Sequence, residues 1–598
     1  MLGATPPDPD REVAPPPPWP KKDIPEQVGF TRQKMVRWLS PGELVNAGIR
    51  AVLSGIFGVY SDKRELQAAL AQAEIHRCVG DDLWLDFVAD LGDGFDATYT
   101  VAALLAREHL DVATPEGGIA GTRRGQVLVM GGDQVYPTAD IRSYENRFKG
   151  PYRAALPHTG SDHPLLFALP GNHDWYDGLT SFMRLFCQRG WIGGWETQQT
   201  RSYFALQLPH RWWLWGIDIQ FDTYLDAPQL SFFNSVVAPE VEPGDSIILC
   251  SSKPNWAEAA ETPEAFTTLD YFERELIRKR CQAHLRLSLS GDSHHYARYR
   301  GLADGDQRLT WGGGGAFLSA THHLAQELEL PPPASTDPGK SSPVQRYRLE
   351  HRYPQESTSK GVRWGIWRLP LLNPSFAALT AVVYLLFAWS IQAGQSRTQL
   401  DSALDTLSYW DILARMVRSP IAFLAGAGLV FGLSGFTKAT PKWKRFVVGI
   451  PHSAVHLAAI SLVNWVIATL LEGTEGLLFS ILFVTLGLLG GAVLGSAAMA
   501  LYLFVADHFG LNTNELFAAQ RIEDRKGFLR LHLTRDGLEI FPIAVDKVGH
   551  RWRLRRESVS GGKGPWFEAD KPSSPPRLLE AVICLAPEGP AVSPDEQA

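Results

Sequence analysis

Four short runs place carboxylates, an amide and imidazoles where apolar stretches stop. Asp90 closes "FVAD", and Asp133 closes "VLVMGGD" behind Gly131 and Gly132. Asn172, His173 and Asp174 follow Gly171 in "LPGNHDW", and Asp292, His294 and His295 follow Gly291 in "LSLSGDSHHY". Open α/β sheets carry their binding groups just past the strand ends, and glycine there permits tight turns and close backbone approach. Carboxylate and amide oxygens mixed with imidazole suit Mn, Fe, Zn or Mg rather than a thiolate-bound metal. Two such ions bridged by a carboxylate are a device for hydrolysing phosphate esters. A plain turn at "GNHD" would need the Gly and the Asn, but not the His-Asp pair beside them.

In their order along the chain, "VADLGDG" (88–94), "GGDQVYP" (131–137), "GNHDW" (171–175) and "GDSHHY" (291–296) resemble the motifs of the calcineurin-like metallophosphoesterases. The likeness covers roughly residues 80–320, and "SGDSHHYARY", "WGGGGAF" and "NELFAAQRI" are similar to a bacterial subgroup in which this domain precedes membrane helices. The resemblance implies a four-layer α/β/β/α sandwich with two mixed sheets. It also implies one or two divalent ions (Mn, Fe, Zn or Mg) and hydrolysis of a phosphoester through a metal-bound hydroxide. In that scheme Asp90 and His294 ligate the first metal, Asp133 bridges both, and Asn172 ligates the second. His173 assists the leaving oxygen as acid or electrostatic stabiliser, and Asp174 holds its imidazole.

The chain departs from the family pattern at three places. The first block lacks its His, and Asp93 or Asp96 could substitute. Ser252 in "SSKP" stands where another His is expected, with Lys253 as an alternative source of positive charge. Asp292 replaces the first His of the last block, which favours hard ions, and His295 is a further candidate. The second metal thus keeps Asp133, Asn172 and Asp292. The alternative reading is a catalytically weak domain that senses or regulates for a membrane helix bundle.

The elements that must position these residues alternate as strands and helices. "LWLDFVAD", "GQVLVMGGD", "HPLLFALPGNHD", "DSIILCSSKP" and "LRLSLSGDSHHYARY" read as strands. "TYTVAALLAREHL" and "TLDYFERELIRKRCQ" read as helices, and "SYFALQL" with "RWWLWGIDIQF" as a hairpin. The spacing over 31–76 predicts helices. Residues 1–28 form a Pro-rich tail, 29–324 the metallophosphoesterase-like domain and 325–368 a linker. Beyond the membrane block, 509–560 form a small β-rich domain around Asp536-Gly537, and 561–598 a mostly disordered tail.

Four apolar blocks between residues 369 and 508 each approach the length of a bilayer span. Arg363, Arg368, Lys438, Lys442, Lys444, Arg445, Arg521, Arg525 and Lys526 gather on one side of them. That side is expected to be cytoplasmic, which makes the chain a multi-pass inner-membrane protein with its soluble domain and both termini in the cytoplasm. The net charge of −7 excludes general nucleic-acid binding. Five scattered cysteines and the lack of an apolar leader fit a reducing compartment. The expected partners are the bilayer and a phosphoester, a lipid-linked one among the candidates; the oligomeric state is left open. His452 and His456 share a helix face and, with Asp507 and His508, read as interhelical hydrogen-bonding groups. His322 and His323 read as solvated loop residues, and Trp191, Trp195, Trp212, Trp213 and Trp215 as core.

Overall fold

Strand Leu83–Val88 is apolar on both faces apart from Asp86, as a strand covered on both sides must be, and it is buried along its whole length. It pairs in parallel with Val127–Met130, which pairs in parallel with Leu165–Ala168. The computed structural model describes residues 28–46, 73–158, 163–219, 225–332, 342–393, 408–439, 443–555 and 564–586. Among these residues the three strands belong to an eleven-stranded mixed sheet, and a nine-stranded mixed sheet is built around Trp212–Ile217, Ser246–Ser251 and His284–Ser290.

Three apolar cores define the layers. Phe87, Val129 and Phe167 meet Leu214, Ile248 and Leu287 between the sheets. Tyr99, Phe148 and Tyr152 cover the outer face of the larger sheet. Phe233 and Phe272 cover Trp213 and Trp215 on the smaller one. Helices thus flank two stacked sheets. Of the tryptophan cluster, Trp195, Trp212, Trp213 and Trp215 are buried and Trp191 is exposed.

Several expectations change. The expected linker contributes strands Glu327–Leu330 and Gln345–Tyr353 to the nine-stranded sheet. The run "LRLSLSGDSHHYARY" is two strands, His284–Ser290 and Tyr296–Gly301, with the polar turn between them. Residues 31–37 are irregular and Ile75–Arg77 is a strand, so helix is confined to 41–46 among the described parts of 31–76. The rest of that stretch (47–72), the tails at 1–27 and 587–598, and residues 333–341 lie outside the described residues.

The C-terminal hairpin forms at Asp536-Gly537 as expected, joining Lys526–Thr534 to Gly537–Val545. It does not make a sheet of its own. Lys526–Thr534 pairs antiparallel with Leu83–Val88 in the register Leu529↔Phe87, in the interior of the larger sheet. Backbone donors on one edge of the N-terminal strand are thereby satisfied by residues more than four hundred positions away. Arg530 locks the pair. Its Nε donates to Asp86 Oδ1 at 3.0 Å and its Nη1 to Thr122 Oγ1 at 3.0 Å, while Gly125 N donates to Asp86 Oδ2 at 2.9 Å.

Among the described residues three single helices, not four, are long and apolar enough to cross a membrane: Pro374–Ile391, Trp443–Leu470 and Gly476–His508, with a fourth span only if a bent pair is taken as one. The second apolar block forms Pro420–Phe436, joined at a 90° bend to Tyr409–Arg418. Proline at the first helical turn and the Ser419 cap account for the break. Tyr384 Oη lies 2.9 Å from His456 Nδ1, and His452 stacks on Tyr502 with centroids 3.7 Å apart, the interhelical role read from the spacing. One end of the bundle shares a core with the body, where Met35, Leu39 and Phe317 meet Leu503, Leu516 and Phe517.

Arg530→Met should lower stability by about 3–5 kcal/mol, because it strands the buried Asp86 carboxylate. Thermal unfolding of the full chain in detergent measures this. Adding Asp86→Leu should recover most of the loss, and a double variant as unstable as the single one would show that the ion pair is not the lock.

Candidate functional site

The polar strand ends converge. Asp90, Asp133 and Asp292 each follow a buried strand, and all three have left-handed backbone, with φ of 59°, 49° and 65°. Asp tolerates that region better than most residues, but three such positions at one place store strain that marks functional sites. Backbone bonds hold the turns together. Asp90 N donates to Gly132 O at 3.0 Å, Leu91 N to Asp133 O at 2.8 Å, and Asp292 N to Asp90 Oδ1 at 3.2 Å.

The close approach requires the glycines. A Cβ on Gly171 would lie 2.1 Å from Asp133 Oδ1, and one on Gly312 2.2 Å from Asp90 Oδ2. The "WGGGGAF" run lies directly over the first strand end, where Gly314 N donates to Ala89 O at 2.8 Å and Ala316 N to Asp90 O at 2.9 Å.

Tyr136 is the centre of the group. Its hydroxyl lies 3.0 Å from Asp90 Oδ1, 3.1 Å from Asp133 Oδ2 and 3.1 Å from His294 Nε2. One hydroxyl has one proton to donate. In either His294 tautomer the phenol donates to at most one of its three neighbours, so Asp90 and Asp133 share its proton and otherwise rely on the backbone N–H groups of Asp292 and His173. Burial, then the neighbouring Asp133 and Asp292, holds Asp90 well above the ordinary carboxylate range, and burial pushes Asp133 up to about 7. Burial and then Lys526 push His294 down to about 3, leaving a neutral imidazole.

Two oxygens in the group, Asp90 Oδ2 and Asn172 Oδ1, are buried without a hydrogen-bond partner among the described residues. Unsatisfied carboxylate and amide oxygens beside crowded acids and a neutral imidazole are the donor set of a divalent cation site. The residues present therefore fit such ions.

The other predicted residues fall as follows. His173 N donates to Asp133 Oδ1 at 2.9 Å, and its Nδ1 lies 2.8 Å from Pro137 O. A carbonyl only accepts, so Nδ1 carries the proton. Asp174 was expected to hold this imidazole. Its carboxylate instead accepts from Tyr144 Oη, from Gly171 N at 2.8 Å and from Gln134 N at 3.3 Å, so it braces the turn. Asp93 accepts from Val36 N at 2.8 Å and ties down the N-terminal segment. Asp96 meets His550 Nδ1 at 2.7 Å. Ser252 packs against Gly132, beside Asp133. Lys253 pairs with Glu258 at 2.8 Å. His295 lines the same cavity as Asp133, Asn172, His173, Asp292 and His294.

Among the described residues, the groups of three that bring His and carboxylate ligand atoms within 4.8 Å of one another lie elsewhere, at His322, His323 and Asp507 and at Asp96, Glu523 and His550, and the acids around Tyr136 are spaced more widely than this. The first corrects the solvated reading of His322, whose side chain is 2 % exposed. His322 Nε2 lies 3.2 Å and Arg363 Nη1 3.1 Å from Asp507 Oδ2, which joins the loop after the glycine run to the end of the last long helix.

Two participants escaped the sequence reading. Tyr136 stands inside the quoted "GGDQVYP", where an aromatic before proline passes for core. Trp38 sets its ring edge-on to His173 and Tyr136, with centroids 5.6 and 6.0 Å away. It lies in a stretch whose apolar spacing suggested helix.

No family model and no curated protein matches the chain. Among solved structures, GAP50, the anchor in the inner membrane complex of Plasmodium, is similar at 10 % identity, covering 47 % of this chain and 93 % of its own, with a TM-score of 0.30. PhoD is similar at 11 % identity, covering 40 % of this chain and 59 % of its own, with a TM-score of 0.25.

Gly171→Ala should displace the Asp133 carboxylate and cost about 1–3 kcal/mol through overpacking. The thermal stabilisation that Mn²⁺ gives the unaltered chain should shrink at least tenfold in apparent affinity. Retention of that response would show that Asp133 is not a ligand.

Proposed function

We propose that the chain is a membrane-anchored, metal-dependent phosphoesterase. The observation that carries this reading is that Asp133, Asn172, Asp292 and His294 line one cavity, while the fully buried Asp90 joins them through the Tyr136 hydroxyl that also reaches Asp133 and His294, with orphaned oxygens on Asp90 and Asn172. Asp90 and His294 would hold one cation, Asp133 would stand between two, and Asn172 with Asp292 would hold the other. Tyr136 Oη, within reach of three of these groups, belongs to the same set. Such ions supply Lewis acidity toward the phosphate oxygens and the attacking water.

The chain's own residues supply positioning and a proton. His173 is fixed by the Pro137 carbonyl through Nδ1, which leaves Nε2 as the nitrogen that can carry a second proton to a departing oxygen. Trp38 and Tyr136 pack against the ring and restrict its orientation. Asp174 keeps the turn that presents both Asn172 and His173.

The membrane reading is supported by the three long apolar helices and by sheet topology. Strand Gln345–Tyr353 precedes them and strand Lys526–Thr534 follows them, and both belong to one body. The chain must therefore return to the side it left, which requires an even number of crossings. On this reading the bent pair, taken as one span, would supply the fourth. Pro420–Phe436 is about 26 Å long at 1.5 Å per residue, close to the ~30 Å hydrocarbon core. The Tyr409–Arg418 arm, with Trp410, Arg415 and Arg418, has the make-up of an interfacial helix. Lys438, Lys444, Arg445 and Arg521 at the body's end support a cytoplasmic position for that end. The alternative, a catalytically weak regulatory module, draws on the His322–Asp507–Arg363 joint between site and bundle.

The full chain in detergent with Mn²⁺ should hydrolyse p-nitrophenyl phosphate or its bis-ester, and Asp133→Asn should abolish this. His173→Ala should lower kcat about 10²-fold on esters with alkyl leaving groups, and less on nitrophenyl esters, whose leaving group needs little protonation. Bound Mn²⁺ with no hydrolysis of any ester would turn the reading to the regulatory module.

In a Cys584→Ser background, Glu472→Cys should react with a membrane-impermeant maleimide from outside the cell, and Lys438→Cys only after permeabilisation. Labelling of both from one side would overturn the four-pass topology.

A further inference from the structure

The cavity above the acid cluster has a volume of about 900 Å³ and does not end on the surface of the body. From Asp133, Asn172 and Asp292 it runs past Leu39, Phe317 and Leu324. It ends on Gly435 and Phe436, the last residues of helix Pro420–Phe436, and on Gly510 and Thr513 beyond the last long helix. The lining thus joins anionic oxygen and imidazole to apolar side chains and to the ends of the membrane-type helices, with Glu261, His323 and Asn514 also on its walls.

Three features bear on what enters. Phosphate alone needs a small part of this volume, which lies in the range that accepts a drug-sized molecule. The helix that forms the rim turns Phe423, Leu424 and Phe431 outward, 58 %, 70 % and 68 % exposed, so the rim continues onto a face suited to hydrocarbon. Lys438 sits at that rim, its Nζ 2.7 Å from Glu515 Oε1, at the level where lipid phosphates lie if the helix spans. Glu515 is thereby neutralised rather than left to repel an anion.

We infer that the substrate is an amphiphilic phosphoester taken from the bilayer: its phosphate sits among Asp133, Asn172, His173 and Asp292, and its hydrocarbon chain leaves past Phe317, Gly435 and Phe436. This assignment rests on the phosphoesterase reading above and adds the class of substrate to it. Hydrolysis breaks the P–O bond to the lipid and transfers the elements of water, returning the lipid alcohol to the membrane and releasing phosphate or a phosphorylated headgroup to the cytoplasmic side.

The test uses the full chain in nanodiscs of phosphatidylethanolamine and phosphatidylglycerol with Mn²⁺. The probe is phosphatidic acid with a diazirine at the end of one acyl chain. Crosslinks should map to residues 431–439 and 510–518 and should fall at least fivefold with millimolar inorganic phosphate. Gly435→Trp, or Ala325→Trp on the opposite wall, should reduce them by a similar factor. In parallel, the ratio of kcat/KM for long-chain phosphatidic acid to that for p-nitrophenyl phosphate should fall at least tenfold in either tryptophan variant. Crosslinks spread over the outer helix faces and insensitive to phosphate, with nitrophenyl ester hydrolysis intact, would overturn the lipid assignment and leave the phosphoesterase. Phosphate-sensitive crosslinks at the rim, with no ester hydrolysed, would overturn the reaction and leave a lipid-phosphate binding site. Two wall variants guard against one that fails to fold.

Discussion

Burying several carboxylates within reach of one phenol is the constraint on which the rest of the structure turns. Charge taken out of water is costly unless it is compensated, and Asp90 and Asp133 are fully buried side by side with a single phenol proton between them. The body answers with rigidity. Parallel strands deliver the acids, left-handed backbone turns them inward, and glycines at 171, 291 and 312 leave room where any side chain would collide. The loop carrying the glycine run, the N-terminal segment with Trp38 and the turn braced by Asp174 then close over the cluster. The shape of such a site is held by bonds that involve no cation.

The strand-end motifs were legible in the sequence because they are local. An apolar run, a glycine and a polar residue stand together, and the resulting turn brings the group to the sheet edge. Asp90, Asp133, Asn172, Asp292 and His294 were found that way, and they do meet. The partners that orient them were harder to see. The Pro137 carbonyl that holds His173 has no side chain to announce it. Asp174 looked like the natural partner by adjacency, but a turn residue commonly satisfies its own backbone, and this one does. Tyr136 was in view and was passed over because its role depends on where three distant turns converge.

The fold shows the same division. Strands that pair with near neighbours, such as Phe204–Leu208 with Trp212–Ile217, carry their alternation and turn in one stretch. The C-terminal hairpin was recognised, but nothing within it says that its outer strand completes the first sheet. Arg530 and Asp86 are 444 residues apart, and a lone arginine in an apolar strand gives no hint of its acid. The expected linker misled in the opposite direction, since Pro- and Ser-rich composition around residue 335 hid the alternating "QRYRLEHRY" that follows.

The pairing of Lys526–Thr534 with Leu83–Val88 sets an order on biosynthesis. While a ribosome is still making the helices, the first half of the chain has left it with one long edge of its central strand open. An unpaired apolar edge is a template for aggregation. If the helices span a bilayer as proposed, only a chain in which all of them have been inserted can bring the closing strand back to the correct side. On that proposal, completion of the two-sheet body would be a check on completion of the membrane part: a protomer stalled or misthreaded during insertion could not close its sheet and would stay recognisable to proteases as unfinished.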